Sequence, residues 1–179
     1  LEQVLSSHSN IHGAGELNYL PKIIDKIKLD KLQNFVSFTK NIRLEYYEKV
    51  SKLTNKKFVI DKLPMNFRWI GFISKAFPEA KIIHIQRNPM AICWSNYKIN
   101  CPDPGMDYSL SQQDTAKYYV LYHELMKFWT DKSPLKIPAS GLTEKSESEN
   151  SIDERSLFSP FEKCPVKRRL SNFLLLTVF

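Results

Sequence analysis

The sequence predicts an α/β protein with a central parallel sheet, and three observations predict it. Two short apolar runs, 58–60 and 81–86, have the composition of buried strands. Around them, apolar residues recur every three or four positions, as they do in amphipathic helices. The stretch His84–Tyr97 joins strand to helix through a turn that contains Arg87. A helix–strand–helix–strand–helix–helix order of this kind is typical of a parallel sheet covered by helices.

The first part of the chain predicts helices on either side of a turn. Residues 1–8 fit the last turns of a helix, and 9–15 have the glycine-containing composition of a turn. A new helix is expected to open at 17–21. From 23 to 53 the apolar residues keep helical spacing, which predicts one or two amphipathic helices with a break near 29–31.

The sequence from residue 58 onward supplies the strands and the remaining helices. The strand 58–60 is followed by a helix over 66–77, and the strand 81–86 leads through the central turn into another helix. Residues 101–105 predict a loop, because they contain two prolines and a glycine. The stretch 111–129 has the pattern of a strongly amphipathic helix.

The central turn has the residues of an anion-binding site. Asn88 is suited to cap the following helix, and Pro89 to occupy its first position. Arg87 stands at the carboxyl end of the strand, the edge at which open α/β sheets bind ligands. Ser95 follows eight residues later, about two helical turns on, so a phosphate could bond to both side chains. The alternative is an arginine in a surface ion pair and a serine packed within its helix.

Two further residues are candidates for catalysis. Glu16 follows the turn Gly13–Gly15, whose exposed backbone lets a ligand approach, and its carboxylate could take a proton from a hydroxyl nucleophile. Lys62 follows the strand 58–60, so it should project at the same sheet edge as Arg87 and could neutralise charge on a leaving group. The alternatives are an acid that complements a helix dipole and a solvated lysine.

Composition favours an anionic partner and no metal. The 179 residues carry a formal net charge of +7, which suits anions in general. Three cysteines, an odd number without metal-binding spacing, predict reduced thiols. These are Cys93, Cys101 and Cys164. His8 and His12 lack acidic partners in a metal-binding pattern, so we expect no metal site.

Targeting signals are not visible in the sequence. No apolar run reaches the about 18 residues that a transmembrane helix needs, and no signal peptide is recognisable, so we expect a cytoplasmic protein. Because Leu1 is not a methionine and already lies within a helical pattern, we also expect that a segment precedes it.

Three stretches together resemble a known family. They are SSHSNIHGAGELNYLP (6–21), DKLPMNFRWIGFISKAFPEAKIIHIQRNPMAICWSNY (61–97) and DYSLSQQDTAKYYVLYHELMKFW (107–129). They look like the bacterial sulfotransferases often found behind tetratricopeptide repeats, which are similar to the tyrosylprotein sulfotransferases. The resemblance implies a P-loop-like, three-layer sandwich around a parallel sheet. It also implies transfer of a sulfuryl group from 3′-phosphoadenylyl sulfate (PAPS) to an acceptor hydroxyl.

The resemblance implies a role for each candidate residue. Arg87 and Ser95 match the pair that holds the 3′-phosphate of the donor. Glu16 matches the general base that acts on the acceptor hydroxyl. Lys62 matches the lysine, placed before an Xaa–Pro step, that stabilises the bridging oxygen of the transition state. Sulfuryl transfer resembles phosphoryl transfer in depending mostly on positioning and charge stabilisation, so no metal is expected.

The chain departs from the family at both ends. The phosphosulfate loop, of the type Pro–Arg–Ser–Gly–Thr–Thr, should end just before Leu1 and is absent from the sequence. Residues 136–179 match neither the further strand nor the Arg–Pro-containing segment of the family. We therefore expect a sulfotransferase core over 1–135, incomplete at its N-terminal phosphate loop, and a divergent, poorly ordered or non-native tail over 136–179. We expect a truncated or frame-shifted product of an active ancestor.

The expected function is therefore PAPS-dependent sulfuryl transfer to an acceptor hydroxyl. The resemblance favours a tyrosyl hydroxyl in a peptide, while a sugar or small-molecule hydroxyl stays open. The alternative is a non-catalytic nucleotide-binding or interaction remnant of the same fold. Nucleic-acid binding has little support, because the basic segment 167–169 is short and is not interleaved with aromatic residues. No membrane partner is expected.

Overall fold

The structure, a computed structural model, describes residues 1–26, 35–99, 105–141 and 174–179, which form a mixed α/β fold. The helices are α1 (Glu2–Ser6), α2 (Tyr19–Asp25), α3 (Phe35–Ser51), α4 (Ile70–Ala76), α5 (Pro89–Ile99) and α6 (Gln112–Lys132). The strands are β1 (Ile11–Gly13), β2 (Phe58–Asp61), β3 (Lys81–Gln86), β4 (Ala139–Gly141) and β5 (Leu174–Val178). Short 3₁₀ helices span Pro64–Trp69 and Asp107–Leu110. The predicted α/β class is confirmed.

The chain divides into two compact units. The first contains Leu1–His84, Trp129–Pro138 and Leu175–Phe179. The second contains Ile85–Phe128 and Ala139–Leu174.

The sheet is mixed rather than purely parallel. Its strand order is β1-β2-β5-β3-β4. Strands β1 and β2 are parallel, with Ile11 opposite Phe58 and Gly13 opposite Ile60. Strand β5 runs antiparallel to β2, with Val178 opposite Ile60. The prediction of a parallel sheet therefore holds for β1 and β2 and is wrong for β5.

Three strands, β1, β4 and β5, were not predicted. Strand β1 lies within 9–15, which the sequence predicted as a turn; three residues are too few to show an alternating pattern. Strand β5 reads Leu-Leu-Leu-Thr-Val, whose continuous apolar run carries no period. The strand pairs with β2, which lies more than 100 residues earlier in the chain. The sequence near β5 therefore contains no pattern that predicts this pairing. The domain boundary predicted after residue 135 stays a prediction.

The predicted helices occur with altered limits. The helix predicted over 66–77 divides into the 3₁₀ helix Pro64–Trp69 and α4. The predicted helical region 23–53 contains the end of α2 and all of α3, while its break near 29–31 lies outside the described residues. Most of the predicted loop 101–105, together with Cys101 and Cys164, also lies outside them.

The core of the first unit is built on the apolar face of α3. Phe38, Ile42, Tyr46 and Val50 are buried at intervals of four residues, as the periodicity predicted. The ring of Tyr46 lies 5.3 Å from that of Phe77, centroid to centroid, in an edge-to-face contact. Full burial of such side chains contributes roughly 1.5–3 kcal/mol each. This packing holds α3 beside the end of β2, where Tyr46 contacts Asp61.

The second unit contains the strand-to-helix turn and most of α6. The carboxamide of Asn88 accepts a hydrogen bond from the backbone N–H of Ala91 at 3.2 Å, so Asn88 caps α5 as predicted. Cys93 is fully buried on this helix. Helix α6 buries Tyr119, Tyr122 and other residues along one face, which agrees with its predicted amphipathic character.

Candidate active site

Glu16 and Lys62 lie side by side because β1 and β2 are parallel. The pairing of the two strands continues past their ends. The N–H of Ala14 donates to the carbonyl of Ile60 at 3.0 Å, and the N–H of Lys62 donates to the carbonyl of Gly15 at 2.7 Å. The ammonium nitrogen of Lys62 then lies 2.8 Å from Oε1 of Glu16. The structure thus brings the two predicted catalytic side chains into an ion pair at the carboxyl ends of the strands.

The glycine turn before Glu16 is held in place by α1. Gly15 has a φ of +69°, a left-handed conformation that other residues seldom adopt. Its N–H donates to the carboxylate of Glu2 at 2.7 Å. A Cβ on Gly13 would lie 3.1 Å from both Glu2 and Ser6, so only glycine lets α1 approach this closely. The two glycines therefore let the chain turn against α1 directly before Glu16.

The ion pair is accessible from solvent. The side chain of Glu16 is 51% exposed and that of Lys62 is 25% exposed. A partly exposed pair of this kind contributes about 0–1 kcal/mol, so an incoming substrate can replace the contact at little cost. Chemically, the carboxylate can accept a proton and the ammonium can stabilise a developing negative charge.

A buried carboxylate lies directly beneath the pair. Asp61, the last residue of β2, is fully buried and accepts hydrogen bonds from the backbone N–H of Leu63 at 3.0 Å and of Leu17 at 3.3 Å. The hydroxyl of Tyr46 donates to its other oxygen at 3.0 Å. Asp61 was not among the candidate residues predicted from the sequence. The available signal was an acidic residue directly after the buried run Val59–Ile60.

The charge state of Asp61 follows from these contacts. Burial raises the pKa of the carboxyl to about 6, against lowering contributions from the N–H of Leu63, the amide of Asn66, the hydroxyl of Tyr46 and the N–H of Leu17. Within the described part of the chain, the Asn66 amide makes no hydrogen bond of acceptable geometry, so it acts through its proximity. Asp61 is therefore mainly ionised at neutral pH.

The predicted phosphate pair belongs to the second unit. Arg87 lies in the two-residue turn between β3 and α5, partly buried, and Ser95 is the partly buried seventh residue of α5. Both residues take part in interactions within the chain. Glu16 and Lys62 lie in the first unit, so the two predicted pairs belong to different units.

The described residues offer neither a metal-binding cluster nor a membrane-spanning helix. Within residues 1–26, 35–99, 105–141 and 174–179, no cluster of three or more His, Cys, Asp or Glu side chains could hold a metal ion. His8 and His12 thus form no such cluster there, and the expectation of a metal-free protein stays a prediction. None of the helices in those ranges is both long enough and apolar enough to cross a membrane.

The fold and the ion pair describe an α/β protein with an acid–base pair at adjacent strand ends. Residues 1–140 match the sulfotransferase family, so the chain belongs to that family. The prediction drawn from the three resembling stretches is thereby confirmed at the level of the family.

One curated relative matches the chain over a small part of its own length. A protein of Aquifex aeolicus (strain VF5), described as uncharacterized, is 35% identical over 116 residues. The match covers 55% of this chain and 15% of the relative. The chain therefore spans a small part of the length of that relative. No solved structure matches the chain.

Proposed function

We propose that the chain is the core of a PAPS-dependent sulfotransferase. In this proposal Glu16 and Lys62 act on the acceptor and the transferring group, while Arg87 and Ser95 hold the 3′-phosphate of the donor. The observation that carries the proposal is the 2.8 Å contact between Glu16 and Lys62 at the carboxyl ends of two parallel strands, in a chain of the sulfotransferase family. We also propose a P-loop-like, three-layer arrangement for the complete domain.

Each residue of the ion pair has a distinct task in the proposed reaction. The carboxylate of Glu16 takes the proton of the acceptor hydroxyl while the oxygen forms its bond to sulfur. The bond between sulfur and the bridging oxygen of the donor breaks, and adenosine 3′,5′-bisphosphate leaves. The ammonium of Lys62 stabilises the negative charge that develops on this bridging oxygen. The acceptor hydroxyl replaces the ammonium as the partner of Glu16.

Arg87 and Ser95 are suited to bind phosphate for local reasons. A guanidinium can donate two parallel hydrogen bonds to phosphate oxygens, and a hydroxyl adds a third donor. Arg87 also precedes the capped N-terminus of the eleven-residue helix α5, whose first N–H groups favour an anion. These features support a 3′-phosphate site. For the acceptor we propose a tyrosyl hydroxyl in a peptide, the class that the sequence resemblance favours.

Binding and turnover are tested separately. Calorimetry with adenosine 3′,5′-bisphosphate should detect binding by the wild-type chain and little or none by Arg87→Ala. Arg68→Ala is the matched control, because Arg68 is an exposed arginine elsewhere in the chain. Equal affinity of wild type and Arg87→Ala would contradict the phosphate assignment.

Transfer is measured with PAPS labelled with ³⁵S, using a protein in which a phosphosulfate loop of the type Pro–Arg–Ser–Gly–Thr–Thr precedes Leu1. A tyrosine-containing peptide, a sugar and a small phenol serve as acceptors, and label on the peptide is the expected result. Nucleotide binding without transfer to any acceptor would favour a non-catalytic remnant of the fold over an enzyme.

A further inference from the structure

The buried Asp61 is attached to both members of the ion pair through the backbone. Its Oδ1 accepts the N–H of Leu17, the residue after Glu16, and the N–H of Leu63, the residue after Lys62. One oxygen atom is thus the shared acceptor for two segments that are more than 40 residues apart in sequence. No other residue type of this size offers an ionised acceptor able to serve both donors at once.

The second oxygen of Asp61 is attached to the core. It accepts the hydroxyl of Tyr46, a fully buried residue of α3. The Tyr46 ring packs against Phe77 and, at 4.6 Å between centroids, against Phe179. The carboxylate therefore has a fixed position relative to the packed interior, although the Glu16 and Lys62 side chains that it serves are accessible to solvent.

We propose that Asp61 is the positioning residue of the Glu16–Lys62 pair: its carboxylate ties the backbone after Glu16 to the backbone after Lys62 and so sets the separation of the two side chains. The inference rests on the proposed function, because it assigns Asp61 to the machinery of the same reaction. Asp61 touches neither substrate, since it is fully buried.

The strand pairing brings Glu16 and Lys62 side by side, but its backbone hydrogen bonds end at Lys62. The last backbone bond between the two segments runs from Lys62 to the carbonyl of Gly15, and both chains then turn away. Leu63 leads into the 3₁₀ helix Pro64–Trp69, while Leu17 leads toward α2. Beyond these backbone hydrogen bonds, the carboxylate of Asp61 connects the two segments by accepting the N–H groups of Leu17 and Leu63. Without that link each catalytic side chain would move with its own segment.

A zero-length cross-link measures this positioning without requiring turnover. A water-soluble carbodiimide joins a carboxylate to an amine in direct contact, and mass spectrometry of the digest quantifies the Glu16–Lys62 product. The ion pair between Lys26 and Glu45, with 3.0 Å between nitrogen and oxygen, is an internal control that joins α2 to α3 away from Asp61. The ratio of the two products reports local positioning separately from global folding.

The expected outcome distinguishes two substitutions of Asp61. Asp61→Ala should lower the Glu16–Lys62 product about tenfold relative to the control product, since it removes a hydrogen bond to a charged acceptor from each segment. Asp61→Asn keeps one oxygen that can accept both N–H groups, so it should retain most of the product. An unchanged ratio in Asp61→Ala would overturn the proposal.

A second measurement covers the case in which Asp61→Ala fails to fold and loses both products. In the wild-type chain, the amide hydrogens of Leu17 and Leu63 should exchange at least tenfold more slowly than unbonded amides of the same loops. Fast exchange of either amide would refute the shared tie.

Failure of the inference and failure of the proposed function give different results. In an active protein, Asp61→Ala should lower kcat with little change in the KM for PAPS, and Asp61→Asn should restore kcat. An unaltered cross-link ratio together with wild-type turnover refutes the positioning role and leaves the function intact. If Asp61→Ala lowers the ratio while the wild-type protein transfers no sulfate, the proposed function is refuted and the positioning role of Asp61 stands.

Discussion

The hydrogen bond between Tyr46 and Asp61 allows a quantitative prediction for Tyr46→Phe. The substitution removes one hydroxyl and keeps the ring that packs against Phe77 and Phe179. Burial and the neighbouring carboxylate of Asp61 raise the pKa of Tyr46 far above its ordinary value, so the hydroxyl remains a donor at every pH of interest. A hydrogen bond to a charged group contributes about 1.5–3 kcal/mol, and this is the expected loss of unfolding free energy while Asp61 is ionised.

The cost of Tyr46→Phe should depend on pH. The pKa of folded Asp61 is about 6, above the ordinary 3.8, so the folded chain holds this proton more tightly than the unfolded chain does. The contribution of Asp61 to stability therefore falls as pH rises from about 4 to 6 and is constant above. Removing the Tyr46 hydroxyl raises the folded pKa further and extends this fall to higher pH. The substitution should thus cost more at pH 8 than at pH 5.

Urea unfolding at pH 5 and pH 8 measures both effects. Tyr47→Phe is the matched control, since the neighbouring tyrosine donates to Glu79 at 2.8 Å in a partly exposed position. Because this contact is exposed to solvent, its loss should cost about 1 kcal/mol or less at either pH. Equal losses for the two variants, or a loss for Tyr46→Phe that is the same at both pH values, would refute the reasoning about the buried carboxylate.

Two further predictions concern catalysis and thiol reactivity. Glu16→Gln should lower kcat for sulfuryl transfer by about 10²–10⁴-fold, while calorimetry shows unchanged nucleotide binding. The control Glu48→Gln, at an exposed residue, should leave kcat unaltered. Full activity of Glu16→Gln would exclude Glu16 as the base. Burial raises the pKa of the Cys93 thiol to about 12, so Cys93 should resist iodoacetamide at pH 8 and react after denaturation. Peptide mapping by mass spectrometry reads this residue separately, and rapid native labelling would contradict its burial.

Local sequence signals predicted the parts of the fold that depend on neighbouring residues. The turn from β3 into α5 followed from an apolar run, the capping residue Asn88 and Pro89, and the structure has each of them in place. The buried face of α3 followed from its periodicity. These features could be predicted because a cap or a helical face is encoded within a few turns of chain.

Features that depend on distant partners could not be predicted in this way. Three residues of β1 become a strand because β2 lies beside them, and β5 becomes one through pairing with the same strand. Asp61 is polar at the end of an apolar run, which does not reveal that Leu17 and Tyr46 will surround it. The structure places Glu16 and Lys62 in contact, while their roles, and those of Arg87 and Ser95, stay predictions.

The place of β5 in the sheet has a consequence for how the protein is made. Residues 174–178 lie between β2 and β3, which end at Asp61 and Gln86 and are therefore synthesised long before β5. During translation β2 therefore exists before β5 has been made. Until then, the N–H and C=O groups on the edge of β2 that later pairs with β5 have no strand partner. Sheets whose strands pair across a long sequence separation fold slowly and are prone to aggregate. A ribosome-bound chain ending before residue 174 should consequently be a substrate for chaperones.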